Sequence, residues 1–272
     1  MDYYISNQLT LKAGAEYKLL HLLYNFDWSA GLVNIDYRAH EVSSYSSLIW
    51  QPEPVWNIEA GLRFSEFASD KTFANLEPRF SVKYRLNESS SLKFATGLYS
   101  QYLDSIERLF LSSVWVAADK NINSSGAKHF IFGYEKQVGN YFALDIETYL
   151  KDYKNLYIFN QNYQAEITPS YYQANGNPVC TSTQNIFTRG DGRSYGLELM
   201  LRKDIGAVTG WISYSLSQTN TYYNNQINID FGKTYMIEVS AAIDGKNLHT
   251  TSSTTTPLKG FRVIKSCYAE NF

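Results

Sequence analysis

Long apolar runs, closely spaced cysteines and an excess of positive charge are all missing from this sequence of 272 residues. No window holds the roughly 18 uninterrupted apolar residues that a spanning helix needs, so helical membrane proteins are excluded. The net charge of -2 excludes the basic footprint of a nucleic-acid-binding protein, and we expect no nucleic-acid partner. A transmembrane β-barrel stays possible, because its strands alternate apolar and polar residues and average to a polar hydropathy.

Chemical motifs are missing as well. The two cysteines, Cys180 and Cys267, lie far apart and match no metal-binding or redox spacing, so two unrelated thiols are favoured over one disulfide. The chain has no dinucleotide fingerprint, no P-loop, no nucleophile elbow and no zinc-protease motif. We therefore expect no catalytic residue, no metal site and no cofactor, and the sequence does not predict an enzyme.

One histidine leaves an enzymatic alternative open. His129 would share a polar strand face with Glu135 or Glu147 in a ten-stranded outer-membrane protease of the omptin kind. An ordinary rim residue at the start of a strand is the simpler interpretation of His129, and we favour it.

Aromatic residues are abundant, with 23 Tyr and 15 Phe, and they recur at a period of two. In the segment 79–86 every second residue is apolar, and Arg, Ser or Lys stands between. The same alternation runs through 9–17, 55–64, 92–102, 130–136, 141–151, 195–201 and 210–218. Because successive side chains of a strand point to opposite faces, each segment predicts a β-strand with one apolar and one polar face.

The alternation also assigns side chains to faces. An outward apolar face is predicted to hold Phe80, Val82, Tyr84, Leu92, Phe94, Phe142, Leu144 and Ile146. The opposite, polar face is predicted to hold Arg79, Lys83, Glu147 and Lys151. Aromatic residues near strand ends fit interfacial girdles, namely Trp50, Trp56, Tyr102, Tyr141, Tyr153 and Trp211. A soluble sheet with one solvated face would alternate in the same way, so alternation alone does not decide between water and membrane.

Strand and loop lengths favour the membrane. The alternating segments are about ten residues long, which suffices to cross a bilayer at a tilt near 45°, whereas soluble strands more often have five or six. Short connections are predicted at 52–54, 87–90, 138–140 and 205–208, and long ones at 19–41, 67–75, 103–126, 154–193 and 220–232. Such a regular alternation of short turns and long loops is typical of an outer-membrane barrel. The predicted fold is all-β: an antiparallel meander of about ten long strands that is part of a transmembrane β-barrel.

Both ends of the chain depart from this pattern. Residues 1–10 have neither the basic nor the apolar region of a signal peptide, which predicts a protein that is not exported or an interior piece of a longer exported one. After about residue 243 a Ser/Thr-rich stretch shows little alternation. The predicted organisation is a partial outer-membrane β-barrel over 1–243 and a poorly specified tail over 244–272.

Four short motifs lie in order along the alternating segments. They are NLEPRF at 75–80, GLYSQY at 97–102, ETYLKDYKNLY at 147–157 and GRSYGLELMLRK at 192–203. Each opens, forms or closes a predicted strand. Taken together, over about 9–219, they resemble the barrels of TonB-dependent outer-membrane receptors, especially those of Bacteroidetes type.

This resemblance implies a barrel of roughly 22 strands with an N-terminal plug, driven by the TonB complex of the inner membrane. It implies uptake of an iron chelate, cobalamin or an oligosaccharide across the cell outer membrane. The implied partners are outer-membrane lipid, a plug domain absent from this sequence, the TonB complex and a small-molecule or glycan ligand. With about ten strands, the chain would be an inactive, C-terminal-side fragment. A self-contained ten-stranded adhesin or omptin-like protease, and a soluble β-rich binding protein, stay open as alternatives.

The predicted long loop 154–193 offers the best candidate ligand surface. It places several tyrosines among asparagines and glutamines, and aromatic faces with amide donors suit sugars or flat chelates. The candidate ligand-binding residues are Tyr157, Tyr163, Tyr171 and Tyr172. A solvated loop without a ligand is the simpler interpretation.

Overall fold

The computed structural model describes residues 1–28, 31–108, 112–159, 179–180, 187–223, 227–243, 246–248, 256–258 and 262–265. All regular structure in these ranges is β. None of the described residues forms a helix that is long and apolar enough to span a membrane. Ten strands are long: β2 (Leu9–Trp28), β3 (Gly31–Trp50), β4 (Trp56–Ala68), β5 (Thr72–Asn87), β6 (Ser90–Gln101), β9 (Ser125–Val138), β10 (Phe142–Phe159), β12 (Phe187–Lys203), β13 (Val208–Tyr223) and β14 (Ile227–Ile243). The short strands are β1 (Asp2–Ser6), β7 (Leu103–Arg108), β8 (Ser112–Ala117), β11 (Val179–Cys180), β15 (Lys246–Leu248), β16 (Thr256–Leu258) and β17 (Arg262–Lys265).

The long strands form one antiparallel meander. Its order is β1-β2-β3-β4-β5-β6-β9-β10-β12-β13-β14-β15, so each long strand pairs with the long strand before it and the one after it. The hairpin β7-β8 is a separate two-stranded sheet between β6 and β9. β11 adds a short parallel pairing to β3, and β16 and β17 pair with β14. The prediction of an all-β antiparallel meander of about ten long strands is confirmed.

Three of the predicted long connections are wrong. β2 and β3 pair without a break from Leu9 with Trp50 to Trp28 with Gly31, so the segment 19–41 forms most of a long hairpin. The connection predicted at 67–75 is a short turn between Ala68 and Thr72. A bilayer needs only about ten residues per strand, but strand pairing satisfies backbone N–H and C=O groups beyond the bilayer as well. The connection predicted at 220–232 is short as well, since β13 and β14 pair up to Tyr223 with Ile227. The expected alternation of short and long connections therefore fails at these three hairpins.

The pairing registers keep apolar side chains on one face across the sheet. Val82 of β5 pairs with Ile58 of β4 and Phe94 of β6, and Phe94 pairs with Phe132 of β9. The registers place all eight residues predicted for the apolar face on this face, and all four predicted polar residues on the opposite one. Below, these are called the apolar face and the polar face.

The girdle prediction is correct for only part of its set. Trp50 and Trp56 lie at strand ends on the apolar face, where they are 46% and 37% exposed. The registers place Tyr153 and Trp211 on the polar face instead, and the Tyr102 hydroxyl bonds to Ser65 of the polar face. A position near a strand end fixes a side chain's height in the sheet but not its face, which depends on the parity of the register.

The apolar face is exposed and has a defined height. Phe80, Phe132 and Ile212 are 40%, 48% and 52% exposed. Along β9 this face carries Lys136 beside the strand's end at Val138 and is then apolar up to Lys128, ten residues from Val138. Ten residues tilted near 45° rise roughly 23 Å, close to the roughly 25 Å apolar band of outer-membrane barrels. Lys128 is in register with Asp152, and Asp152 with Arg193, whose Nε lies 2.6 Å from Asp152 Oδ1. Charged pairs therefore begin where the apolar band ends.

Candidate functional site

The polar face carries two networks of alternating charge. In the first, Lys83 and Lys93 both bind Glu135, and Lys93 Nζ also lies 3.5 Å from Asp145 Oδ2. These four residues come from β5, β6, β9 and β10, so the network crosses four adjacent strands. Paired charges on the inside of a sheet of this kind are compatible with water and a polar filling, and not with a dry core.

The second network crosses β2, β3, β4 and β5. Glu41 lies 3.6 Å from Lys18 Nζ and 3.2 Å from an Arg63 nitrogen. Glu77 then lies 3.6 Å from Arg63 and 3.0 Å from Arg79. The Glu77 side chain is only 1% exposed, so its charge depends on these two guanidinium groups.

Tyrosine rings occupy the space above several glycines of the polar face. A Cβ on Gly14 would lie 2.6 Å from the Tyr45 ring, and one on Gly196 would lie 2.7 Å from the Tyr149 ring. Each of these tyrosines pairs across the strands with its glycine. Only glycine gives a ring this close approach to the sheet, so the rings present their faces along the wall rather than standing away from it.

Filling one of these spaces is expected to destabilise the wall. A Cβ in Gly196→Ala would meet the Tyr149 ring and the Leu216 carbonyl oxygen, both at 2.7 Å. We expect a loss of about 1–3 kcal/mol in the free energy of unfolding, measured by urea titration of the full receptor in detergent. Gly126→Ala is the matched control, because the nearest atom to its Cβ is 3.8 Å away. Equal stability of the two variants would show that the ring does not depend on the glycine.

An aromatic and cationic row lies on the polar face beside the networks. The Arg79 guanidinium is 4.6 Å from the centre of the Tyr99 ring, and the Tyr99 and His129 rings are 4.5 Å apart. The His129 and Tyr153 rings meet edge to face at 6.4 Å. His129 therefore lies within β9 among aromatic rings, in register with Lys151 rather than at the start of the strand. Among the described residues no group of three or more His, Cys, Asp or Glu could hold a metal ion.

Residues 102–108 and 112–124, called the strap below, fold back over the polar face. Tyr102 is 5% exposed and stacks on Phe67 with ring centres 4.9 Å apart. Its hydroxyl lies 2.8 Å from Ser65 Oγ and accepts a 2.8 Å hydrogen bond from Asn75 Nδ2. Ser65 Oγ also donates to the Glu77 carboxylate at 3.2 Å. The root of the strap is thus bonded to the second charge network.

The middle of the strap is bound to the turn between β4 and β5. The Ala118 carbonyl accepts hydrogen bonds from the hydroxyls of Tyr37 and Ser69, the latter at 3.1 Å. The Lys120 backbone N–H donates to Asp70 Oδ1 at 3.0 Å. Burial raises the pKa of Tyr37 to about 12, which keeps its hydroxyl protonated as the donor.

The far end of the strap is bound to β10. The Asn123 N–H donates to the Tyr157 hydroxyl at 2.8 Å, and Asn155 Nδ2 donates to the Ser124 carbonyl at 2.7 Å. Asn155 has a positive φ of 56°, a conformation that Asn tolerates better than most residues, and it lies at a bulge in the pairing of β10 with β12. Two small apolar clusters complete the attachment, one around Tyr102 and Phe67 and the other around Ile106, Val116 and Ile122.

The structure describes only one of the four predicted ligand-binding residues. Tyr157 packs against the second apolar cluster and accepts a hydrogen bond from the strap, and burial raises the pKa of its hydroxyl. Tyr163, Tyr171 and Tyr172 lie outside the described residues, as do Cys267 and the side chain of Cys180. The roles of Tyr102 and Glu77 were not predictable from the sequence. A buried Glu opposite an Arg is visible only once the register of β4 and β5 is known.

The Ser125 hydroxyl has two acceptors and one proton. Ser125 Oγ lies 2.6 Å from Asp104 Oδ2 and 2.7 Å from the Asn155 carbonyl oxygen. Burial raises the pKa of Asp104, although the bond from Ser125 lowers it. A protonated Asp104 can donate to Ser125 Oγ, which then donates to Asn155, so both contacts are hydrogen bonds only in that form.

We therefore expect the strap to be held more firmly at acidic pH. Because the pKa of Asp104 is raised on folding, its contribution is complete below the unfolded value of about 3.9 and is lost as the pH rises through the folded value. Amide hydrogen exchange of the strap, corrected for intrinsic rates, should slow as the pH falls from about 7 to about 4. Asp104→Asn should remove this dependence, because an amide donates at every pH. Protection that does not change with pH in the wild type would contradict this account of Asp104.

Comparison with known proteins gives the fold its family. Residues 2–260 match the family described as TonB dependent receptor-like, beta-barrel. No match is found among curated protein sequences. Among solved structures, the FrpB iron transporter from Neisseria meningitidis (F3-3 variant) is similar at a TM-score of 0.59 and 16% identity, over 90% of this chain and 39% of FrpB.

Two further solved structures have comparable TM-scores and identities to this chain. The siderophore receptor PirA from Pseudomonas aeruginosa has a TM-score of 0.55 and 13% identity, over 86% of this chain and 47% of PirA. The copper transporter OprC has a TM-score of 0.58 and 13% identity, over 89% of this chain and 40% of OprC. The chain thus spans less than half the length of each of these proteins. The family consists of transport receptors and not of enzymes, and the matched residues correspond to its β-barrel. This chain therefore belongs to the TonB-dependent receptor-like β-barrel family of the outer membrane.

Proposed function

We propose that this chain is the C-terminal-side wall of a receptor, of Bacteroidetes type, that takes up an iron chelate, cobalamin or an oligosaccharide with energy from the TonB complex. The observation that carries the proposal is the contrast between the two faces. One face exposes large apolar side chains to lipid, and the other carries paired charges, ring faces and a strap bound over its outer end. A wet interior wall with an outer cover suits passage of a polar solute.

We also propose that the chain alone is inactive. β1 reaches β2 only as far as Ala13, and the edge of β2 beyond it needs a further strand. Backbone N–H and C=O groups without partners cannot face lipid, each costing several kcal/mol. Similar receptors are longer than this chain. The part of their length that this chain does not span would supply the strands that complete the barrel and the plug that fills it. Within the chain, we assign 1–243 to the barrel and 244–272 to a tail.

The charge networks support contact with a plug. Lys83, Lys93 and Arg79 are partly exposed although each binds a carboxylate, so each retains hydrogen-bonding capacity toward a polar domain in the lumen. The proposed ligand contacts are Tyr163, Tyr171 and Tyr172, while Tyr157 would act by holding the strap. The names of the similar structures, an iron transporter, a siderophore receptor and a copper transporter, favour a metal chelate among the three ligand classes.

Uptake assays test the proposal. Cells that carry the full receptor would be supplied with labelled ferric chelates, cobalamin and oligosaccharides, with and without a functional TonB complex. We expect accumulation of one ligand class only when TonB is functional, and no accumulation with residues 1–272 alone. Accumulation that does not depend on TonB, or none of any class, would contradict the proposed function.

A further inference from the structure

The polar face has a cation, Lys151, that forms no ion pair within 4 Å in the part of the chain that the structure describes. Arg63, Arg79, Lys83 and Lys93 all bind carboxylates. Lys151 is in none of the ion pairs among the described residues, and its Nζ lies 4.6 Å from the centre of the Tyr149 ring. A half-buried ammonium group held over a ring face keeps its attraction for an anion.

Ring faces surround this cation on three strands. Lys151 pairs with His129, and His129 pairs with Gly97, so β10, β9 and β6 contribute to one row. The Tyr99 ring covers Gly97, where a Cβ would lie 3.0 Å from the Tyr99 hydroxyl, and the Tyr149 ring covers Gly196. Because strands lie about 4.8 Å apart, the row from Gly97 to Lys151 spans roughly 10 Å, the size of one or two rings of a ligand.

Two acidic groups below this row limit the part of the polar face where an anion is favoured. Glu147 lies four residues from Lys151 on the same face, beyond Tyr149, and it pairs across the strands with Glu198. Two carboxylates directly opposite each other repel an anion. An anionic group is therefore favoured at the level of Lys151 and disfavoured two layers below it.

We propose that Tyr99, His129, Tyr149 and Lys151 form a lumenal subsite for a ring-shaped solute that carries a carboxylate, sulfate or phosphate. This inference rests on the proposed function, because it assumes that the ligand passes along the lumenal wall, and it narrows the ligand to the acidic members of its class. Lys151 binds the anionic group, the faces of Tyr99 and Tyr149 stack on the ring, and the His129 imidazole supplies a hydrogen bond. Arg79, bound to Glu77 on one side, closes the row beside Tyr99.

Titration calorimetry on the full receptor in detergent tests the subsite. The probes are a galacturonic acid hexamer, a galactose hexamer with no carboxylate, and an anionic ferric tris-catecholate. We expect at least one anionic probe to bind, and the galactose hexamer to bind at least about tenfold more weakly. Lys151→Gln should weaken the anionic probe by about tenfold to a hundredfold, since hydrogen bonds to charged groups contribute about 1.5–3 kcal/mol. Tyr99→Ala should weaken it as well.

Lys12→Gln is the matched control, because Lys12 lies on the polar face in register with this row but on β2, six strands away from Lys151, where it pairs with Ser47. Its affinities should match those of the wild type. The subsite is refuted if no anionic probe binds, if the neutral hexamer binds equally well, or if Lys151→Gln leaves affinity unchanged. TonB-dependent uptake that persists alongside any of these results would leave the proposed function standing and remove only this inference.

Discussion

Glu77→Gln is expected to lower the free energy of unfolding of the receptor by about 2–4 kcal/mol. The carboxylate is 1% exposed and binds Arg63, Arg79 and the Ser65 hydroxyl. Breaking a buried ion pair costs about 3–5 kcal/mol because the remaining charge loses its partner. The loss here is smaller, since Arg63 keeps Glu41 and both arginines reach some water. Urea unfolding in detergent, followed by tryptophan fluorescence, measures the difference.

Glu66→Gln is the control for this substitution. Glu66 follows Ser65 at the same end of β4, and its side chain is exposed. We expect a change within about 0.5 kcal/mol, as for most surface substitutions. Equal effects of the two substitutions would mean that the second charge network does not stabilise the wall.

Tyr102→Ala is expected to release the strap while the barrel wall stays folded. The substitution removes a buried ring that stacks on Phe67 and a hydroxyl bonded to Ser65 and Asn75. Large aromatic residues truncated to Ala in cores typically cost about 3–5 kcal/mol. The strap carries the exposed Lys120, so trypsin cleavage after Lys120 on intact cells reports its opening. Cleavage should accelerate by more than about tenfold.

Tyr102→Phe separates the two parts of this effect. Phe keeps the stack on Phe67 but leaves the Asn75 amide and the Ser65 hydroxyl without their phenol partner. We expect an intermediate rate of cleavage, because an unmade hydrogen bond in a buried site costs about 1–3 kcal/mol. If Tyr102→Ala were cleaved as slowly as the wild type, the strap would not depend on Tyr102.

The two faces of the wall were predictable, and the strap was not. The period of two fixes which side chains share a face, so Phe80, Val82 and Phe94 could be assigned from the sequence. The length of β2 and β3 could not, because hydropathy marks only the part of a strand that meets lipid. Tyr102 resembled a girdle residue, and its burial depends on contacts with strands β4 and β5, which precede it by dozens of residues. Such contacts follow from tertiary structure alone.

The candidate site was likewise only partly predictable from the sequence. Glycines at 97 and 196 were visible in the sequence as parts of motifs, but the contact of the Tyr99 ring with Gly97 and of the Tyr149 ring with Gly196 depends on the register and the ring positions. The lack of an ion pair at Lys151 is likewise a property of the assembled sheet, since Glu147 is near in sequence but lies two layers below Lys151 and pairs across the strands with Glu198. Sequence predicts which residue types face the lumen, and the register decides which of them meet.

Spin-label accessibility along β5 tests the central claim most directly. Single nitroxide labels at residues 80 to 84 of the full receptor in lipid vesicles would be relaxed by oxygen, which partitions into lipid, and by a water-soluble nickel chelate. The account predicts high oxygen accessibility at Phe80, Val82 and Tyr84 and high nickel accessibility at Ser81 and Lys83, in strict alternation. Nickel accessibility at Phe80, Val82 and Tyr84, or no alternation, would contradict a wall with lipid on its apolar face and water on its polar face.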